Sequence, residues 1–146
     1  MICVPAFITH SATDTEALGE IWGREAKRGL VIALSGDLGA GKTQLVKGIA
    51  RGLGITTRVH SPTFTLVNVY NGGRLTLFHL DLYRLETMEQ ILSAGIEEYL
   101  RPDGMAVIEW AERMSNDEFR MENLRRVKIE ILSENERRIV YEDFGA

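Results

Sequence analysis

The spacing of apolar residues changes along the chain, and each spacing predicts a different element. Leu30 to Leu34 is a short, continuous apolar run, typical of a strand that is buried on both faces. Residues 44–53 carry apolar side chains at helical spacing, which predicts an amphipathic helix whose buried face consists of Leu45, Val46, Ile49 and Leu53. Gly52 and Gly54 then provide a stop signal.

An earlier helix is predicted between Thr13 and Gly29. Thr13 with Glu16 three residues later resembles a capping box, and Gly29 is a typical helix end. The apolar side of this helix consists of Leu18, Ile21, Trp22 and Ala26. A first strand is predicted near Val4 to Ile8, although Pro5 interrupts it.

The middle of the chain alternates apolar and polar residues, which predicts strands over Thr65 to Tyr70 and Arg74 to Leu82 around the turn Asn71-Gly72-Gly73. In the second strand the side chains divide between two faces: His79, Asp81 and Tyr83 on one, and Phe78, Leu80 and Leu82 on the other. The later predicted elements are a helix over Glu86 to Ser93, a helical turn over Gly95 to Leu100, a strand over Met105 to Ile108, and a hairpin of Val127 to Leu132 with Arg138 to Tyr141. The polar region 111–123 gives no clear assignment.

This order of elements predicts an α/β fold. Helices alternate with strands early in the chain, whereas hairpins occur in the middle and at the end. We therefore expect a three-layer domain with a mixed, mainly parallel central sheet and an antiparallel edge. A length of 146 residues fits one such domain over residues 1–146 and allows a sizeable core.

Composition and charge are those of a soluble globular protein, with 45% hydrophobic and 26% charged residues. The net charge of −4 argues against a protein whose main task is to grip nucleic acid through its phosphates, so no DNA partner is expected. The basic pairs Arg125-Arg126 and Arg137-Arg138 are interpreted as solvated strand edges, with a minor contact to RNA left open.

Features that direct a chain to a membrane or to secretion are not found. The longest apolar run is far too short to span a bilayer, and Met1 to Thr9 lacks the basic start and long apolar core of a signal peptide. Cys3 is the single cysteine, which rules out an internal disulfide. We therefore expect a cytoplasmic protein without a membrane partner.

The segment Gly36-Asp37-Leu38-Gly39-Ala40-Gly41-Lys42-Thr43 fits the phosphate-binding loop pattern. Its glycines let the backbone turn tightly and point N–H groups at phosphates, the lysine brings a positive charge, and the threonine hydroxyl can ligate Mg²⁺. The helix that begins here adds its positive N-terminal end. Because a strand, a loop and a helix follow in the required order, nucleotide binding is favoured over a glycine-rich turn without a ligand. The expected fold is therefore P-loop NTPase-like.

Two acidic residues end apolar strands and are candidates for the magnesium side of such a site. Glu109 comes directly after Ala106 to Ile108, and Asp81 follows Phe78 to Leu80. A nucleotide site needs a carboxylate for Mg²⁺ and a group that positions the attacking water. We favour this interpretation over the alternative, in which each charge leaves the sheet edge into solvent. His79 shares the face of Asp81 and could form a hydrogen bond there.

Two further features have both a functional and an ordinary interpretation. Ser61-Pro62-Thr63 is a candidate switch loop whose hydroxyls sense the outer phosphate through the metal, although these residues are also common in turns. Trp110 is a candidate for stacking on a base or a partner, although an indole beside a buried strand more often belongs to the core.

Five segments, in this order, resemble the TsaE family, formerly called YjeE, which comprises the bacterial ATPases of tRNA threonylcarbamoyladenosine synthesis. They are residues 36–43, Ser61-Pro62-Thr63-Phe64-Thr65-Leu66-Val67, Phe78-His79-Leu80-Asp81-Leu82-Tyr83-Arg84-Leu85, Gly95-Ile96 and Ile108-Glu109-Trp110. Many ATPases share the loop, whereas the second and third segments are far more specific. The resemblance implies binding of ATP and Mg²⁺, slow ATP hydrolysis, and action with TsaD and TsaB homologues, of which TsaD performs the transfer to tRNA. It implies tRNA as an indirect partner, with direct contact left open.

The same resemblance implies roles for individual residues. Thr43 and Glu109 would be metal ligands, and Lys42 would hold the outer phosphates. Asp81 would support hydrolysis or its coupling to the partner, so that the expected catalytic set is Lys42, Asp81 and Glu109. The expected nucleotide contacts are the loop residues Gly36, Asp37, Leu38, Gly39, Ala40, Gly41, Lys42 and Thr43, with the base near residues 11–15, where Ser11 is the candidate.

Three other functions were compared with this one on the residues themselves. A small-molecule or nucleoside kinase shares the loop but needs an arginine-rich lid, and residues 83–105 hold only Arg84 and Arg101. A GTPase usually carries an Asn-Lys-x-Asp block, which the nearest segment, Asn116-Asp117, does not fit. The two acids argue against a nucleotide-gated binding module without useful turnover, but they do not exclude it.

Overall fold

The computed structural model describes residues 5–37, 39–62, 65–111 and 123–145. Within these ranges the chain forms seven strands, three α-helices and one 3-10 helix. In chain order they are β1 (Ala6–Thr9), α1 (Ala12–Glu25), β2 (Leu30–Ser35), α2 (Lys42–Gly52), β3 (Val67–Tyr70), β4 (Leu77–Asp81), α3 (Met88–Ser93), the 3-10 helix (Ile96–Tyr99), β5 (Met105–Glu109), β6 (Asn123–Ile131) and β7 (Arg137–Gly145). The predictions for residues 1–4, Leu38, Thr63 and the polar region 112–122 lie outside the described residues.

The strands form one mixed sheet in the order β1-β7-β6-β2-β5-β4-β3. The four central strands, β6, β2, β5 and β4, are parallel, whereas β3 pairs with β4 and β7 pairs with β6 and β1 in antiparallel fashion. This confirms the mixed α/β fold, with the difference that antiparallel pairing occurs at both edges. The reason is that both predicted hairpins formed, and a short connection can join only antiparallel neighbours.

Helices cover both faces of the sheet, which confirms the predicted three layers. On one side α1 and α2 pack on a core that includes Ile32, Leu34, Leu45, Ile49 and Val107. On the other side α3 and the 3-10 helix pack on a core that includes Val31, Leu80, Ile91, Ile96 and Ile108. Alternate residues of β2 therefore enter opposite cores, as its continuous apolar sequence predicts. None of the helices in these ranges combines the length and the apolar character that a bilayer crossing requires.

The first helix begins and ends earlier than predicted. Ser11, not Thr13, is the N-cap, because its Oγ accepts a hydrogen bond from the Asp14 amide at 3.0 Å. The helix ends at Glu25, and the Arg74 side chain donates to carbonyl oxygens of its last turn, at 2.7 Å to that of Gly23. The predicted capping box at Thr13 and the predicted end at Gly29 were therefore wrong. A capping box does occur at α3, between Thr87 and Gln90.

Glycines bring α1 and α2 into direct backbone contact at their crossing: Gly19 and Gly23 on one helix, and Gly48 and Gly52 on the other. A Cβ atom at Gly48 would lie 2.0 Å from the carbonyl oxygen of Glu16, and one at Gly19 would lie 2.3 Å from that of Leu45. Side chains here would force the helices apart. The crossing places the N-termini of both helices side by side, which assembles the site described below.

Most other boundaries lie close to the predicted ones. β3 and β4 are shorter than predicted at their first residues, and β5 includes Glu109, one residue more than expected. The final hairpin is longer in both strands, because β6 already begins at Asn123, where it pairs with β2, and β7 pairs with β6 as far as Gly145. The 3-10 helix confirms the predicted turn after Gly95, whose φ of 76° is in the left-handed region.

Candidate functional site

The glycine loop between β2 and α2 has the backbone shape that phosphate binding requires. Gly39 and Gly41 have φ angles of 80° and 104°, which L-residues with a side chain rarely adopt. Between them, the amide of Ala40 donates to the carbonyl oxygen of Asp37 at 3.0 Å, which closes the turn. Such successive turns make a concave row of backbone N–H groups, which is an anion-binding arrangement.

The N-terminus of α2 offers further donors. Gly41 is its N-cap and has no side chain to satisfy the first amides, and the first turn contains no acidic residue. The positive end of this 11-residue helix is therefore not neutralised by its own side chains. An anion placed at the loop would receive both the amide hydrogen bonds and the helix dipole.

Lys42 is almost fully buried at the first turn of α2, with 6% of the residue exposed. Its Nζ donates to the carbonyl oxygen of Gly36 at 2.7 Å and lies 3.7 Å from the ring centroid of Trp110. Trp110 directly follows β5 and has a φ of 60°, which is uncommon for a bulky residue and implies backbone strain. Its ring also contacts that of Tyr83, at 5.0 Å between centroids. Trp110 is therefore in contact with the site, which sequence reasoning left open.

Asp81 and Glu109 are neighbours across the parallel pair β4 and β5. Both residues are 3% exposed, so the alternative in which each carboxylate leaves the sheet edge into solvent is wrong. Oδ1 of Asp81 accepts a hydrogen bond from the Tyr83 amide at 2.8 Å, which holds the turn after β4. Oε2 of Glu109 is hydrogen-bonded to Nε2 of His79, a fully buried residue of β4.

One cavity of about 450 Å³ joins these groups, a size within the usual range for small-molecule sites. The predicted residues that line it are Ser11, Gly39, Gly41, Lys42, Thr43, Ser61, Asp81, Glu109 and Trp110. The structure thus brings together residues from five separate segments of the chain. Three predicted residues do not line the cavity but shape the loop: Gly36, Asp37 and Ala40. The carbonyl oxygens of Gly36 and Asp37 accept hydrogen bonds from Lys42 and Ala40, and Ala40 is fully buried.

Arg137, at the start of β7, is a site residue that sequence reasoning missed. Its guanidinium donates to the carbonyl oxygens of Ala40 at 3.0 Å and Gly39 at 3.2 Å, and to that of Ser133 at 2.7 Å. It therefore ties the glycine loop to the turn between β6 and β7, and Glu134 of that turn also lines the cavity. The interpretation of Arg137 as part of a solvated strand edge was wrong.

Arg125 on β6 and Arg138 on β7 also lie close to oppositely charged neighbours. The Arg125 guanidinium lies 4.4 Å from the Tyr141 ring centroid and bonds both carboxylate oxygens of Asp143, at 2.6 and 2.9 Å. Burial lowers the pKa of Arg125, but the hydrogen bond and charge of Asp143 outweigh it and hold that pKa above its usual value. Arg138 lies 3.9 Å from the carboxylate of Glu130.

The segment between Tyr83 and Met105, where a kinase lid was considered, lies elsewhere. It forms α3 and the 3-10 helix, and its apolar residues Ile91, Ile96 and Leu100 pack into the core opposite to α2. A segment anchored by fully buried side chains is not a lid over the phosphate loop. The structure therefore argues against the kinase alternative.

Comparison with known proteins identifies the family. Residues 9–140 match the family model described as threonylcarbamoyl adenosine biosynthesis protein TsaE. The chain is 41% identical over 137 residues to the tRNA threonylcarbamoyladenosine biosynthesis protein TsaE of Bacillus subtilis, covering 94% of this chain and 84% of that protein. It is 47% identical over 110 residues to the Treponema pallidum protein of the same description, covering 75% and 81%.

A solved structure agrees with this assignment. The crystal structure of YdiB from Bacillus subtilis superposes with a TM-score of 0.79 at 34% identity, covering 97% of this chain and 86% of that one. The matched region contains the glycine loop, both buried acids and Arg137. The chain therefore belongs to the TsaE family of tRNA threonylcarbamoyladenosine biosynthesis proteins.

Proposed function

We propose that this protein binds ATP with Mg²⁺ in the cavity and hydrolyses it slowly, in support of a threonylcarbamoyl transferase formed by TsaD and TsaB homologues. The observation that carries the proposal is that a phosphate-binding loop, Lys42 and two buried carboxylates line one cavity. Family membership supports the pathway, and the cavity supports the chemistry.

The phosphates of the nucleotide would lie against the glycine loop and the N-terminus of α2. The amides of the loop supply neutral donors, and the ammonium of Lys42 supplies the charge. Lys42 now contacts the carbonyl of Gly36 and the ring of Trp110, so an arriving outer phosphate would take over at least part of its hydrogen bonding. The nucleoside would extend toward Ser11 and Thr15, which line the same cavity on α1.

The residues of the site fit a magnesium ion that arrives with the nucleotide. Mg²⁺ commonly uses one or two carboxylates together with substrate phosphates and water, rather than an all-protein cage. No cluster of three or more His, Cys, Asp or Glu side chains that could hold a metal occurs in the described part of the chain. The Thr43 hydroxyl and the Glu109 carboxylate would hold the ion, which when bound neutralises charge on the phosphate oxygens.

Hydrolysis also needs a group that orients the attacking water. We assign this role, or the coupling of hydrolysis to the partner, to Asp81. Its carboxylate is fixed through the Tyr83 amide, and Tyr83 contacts Trp110, which contacts Lys42. A change at the outer phosphate could therefore be transmitted to the exposed ring of Tyr83 at the mouth of the cavity.

The proposal is tested by titration of the purified protein with ATP and Mg²⁺, followed by calorimetry and tryptophan fluorescence. Trp110 contacts Lys42, whereas Trp22, the second of two tryptophans, is buried against Tyr141. In a Trp22→Phe variant the whole fluorescence change should therefore come from Trp110. Neither heat nor a fluorescence change at millimolar ATP would contradict the proposal.

Turnover is tested by phosphate release with and without the TsaD and TsaB homologues of the same organism. We expect slow release by the protein alone and faster release with both partners. Tight ATP binding without phosphate release, with or without the partners, would instead support the alternative of a nucleotide-gated binding module. Such a module needs a nucleotide pocket but no catalysis. The acids at the cavity, Asp81 and Glu109, favour the ATPase.

A further inference from the structure

His79 lies in the middle of β4, on the same face of the sheet as Asp81 and Glu109. It is paired with Val107 of β5, so Glu109 is its diagonal neighbour, two residues further along that strand. His79 is 0% exposed, and its Nε2 is hydrogen-bonded to Oε2 of Glu109. In the ionised form that would ligate a metal, the Glu109 carboxylate only accepts hydrogen bonds, and Nε2 of His79 is then the donor.

The bond restricts the orientation of the Glu109 carboxylate. Within the described residues, the hydrogen bond from His79 engages Oε2 of Glu109, and no hydrogen bond engages Oε1. Val107 and Leu77, neighbours of His79 on this face, are completely buried, so the His79 end of the pair is shielded from water, whereas Glu109 lines the cavity beside Asp81. Glu109 is therefore held by one oxygen while the other is available as a ligand.

The second ring nitrogen of His79 indicates that stabilisation of the fold does not account for a histidine at this position. Nδ1 is buried and has no hydrogen-bond partner among the described residues. An unsatisfied polar atom in the core costs free energy of folding, and an apolar side chain of similar size would avoid that cost. A buried polar group of this kind calls for another explanation, and the bond to Glu109 offers one.

We propose that His79 is a positioning residue, which presents the Glu109 carboxylate to the magnesium ion that accompanies the nucleotide. The inference rests on the proposed function, since Glu109 has a metal to bind only in that context. Hydrogen-bond partners of ligating side chains fix the orientation of the ligand, and their loss typically weakens metal affinity or activity by about 10- to 100-fold. We expect that range for the loss of His79.

The test compares three variants of the full chain. His79→Leu removes the donor at similar size, His79→Asn places an amide near Nδ1 and out of reach of Glu109, and His79→Gln can place an amide donor near Nε2. The first measurement is the affinity of Mn²⁺, as a probe of the Mg²⁺ site, for the ADP-bound protein by electron paramagnetic resonance. The second is ADP affinity in EDTA, by calorimetry.

We expect His79→Leu and His79→Asn to weaken Mn²⁺ binding about 10- to 100-fold, His79→Gln to recover most of it, and ADP affinity in EDTA to stay close to that of the wild type. Val107→Ala, a cavity-forming change beside His79, is the control for a merely structural effect and should lower the melting temperature without affecting Mn²⁺ binding. If His79→Leu does not fold, the contrast between Asn and Gln decides.

Wild-type Mn²⁺ affinity in both His79→Leu and His79→Asn would overturn the role of His79 and leave the proposed function standing. If His79→Gln weakens Mn²⁺ binding as much as His79→Asn does, the role of His79 is also overturned, because restoring a donor near Nε2 would then have no effect. A wild-type protein that binds neither ADP nor Mn²⁺ would overturn the proposed function, and this inference with it.

Discussion

The two faces of the central sheet are built from the same strands but differ in chemistry. In β4 and β5, Leu80 and Ile108 enter the core under α3, whereas His79, Asp81 and Glu109 lie on the side of α2. The α3 side is closed and apolar. The α2 side holds buried polar and charged groups at the end of its strands, next to the glycine loop.

The difference shows how one small sheet can combine an apolar core with a cavity lined by polar and charged groups. Burying polar and charged groups costs free energy unless partners compensate, so the α2 side contributes less to stability at its cavity end. The α3 side carries no such cost, because its buried residues are aliphatic. Changes on the two sides should therefore have separable effects, and the following variants test that separation.

Lys42→Ala should have the largest effect on the α2 side. We expect ATP affinity to fall by about 10- to 100-fold, because hydrogen bonds that involve charged groups contribute about 1.5 to 3 kcal/mol. Calorimetric titration with ATP and Mg²⁺ measures the change. Lys47→Ala is the matched control, since Lys47 lies on the same helix but does not line the cavity. Unchanged ATP affinity in Lys42→Ala would show that the phosphates bind elsewhere.

Glu109→Ala should separate turnover from binding on the same side. We expect Mg²⁺-dependent phosphate release to fall on the order of 100-fold, as for the removal of one electrostatic group from an active site, with a much smaller loss of ATP affinity. Phosphate-release kinetics and calorimetry give the two values. Glu130→Ala on β6, outside the cavity, serves as the control. An equal loss of both quantities, or of neither, contradicts the role of Glu109.

Ile91→Val should affect only the α3 side, and its effect should be the smallest of the three substitutions. Ile91 is the fully buried residue by which α3 packs on the sheet, and the loss of one methylene there should lower the free energy of unfolding by about 1 kcal/mol without changing ATP affinity. Chemical denaturation measures stability, and Ile32→Val on the α2 side is an equally buried comparison. A change of several-fold in ATP affinity for Ile91→Val would mean that the two faces are coupled.

The glycine loop and its flanking strand and helix were predicted correctly, because glycine spacing and apolar periodicity act over a few residues. The cap of α1 was wrong by two residues, because Ser11 and Thr13 are both good caps and only the hydrogen bond to Asp14 distinguishes them. Antiparallel pairing at the second edge and the exact lengths of β6 and β7 depend on neighbouring strands.

In the site, too, the contacts that were missed join residues far apart in the chain. Asp81 and Glu109 could be recognised because each ends an apolar strand, and their roles remain predictions. Arg137 was missed because its partners, Gly39 and Ala40, are more than 90 residues away in the chain. The contact of His79 with Glu109 spans 30 residues, and sequence reasoning had associated His79 only with the face of Asp81.

The sequence by itself determined the glycine loop, the strand and helix on either side of it, and the α/β class. These features follow from the backbone preferences of glycine and from apolar spacing, which need no distant partner. Only the tertiary structure decided that Lys42 contacts Trp110, that His79 holds Glu109, and that Arg137 closes the loop. Those contacts depend on strand order and register, which the packing of the whole core sets.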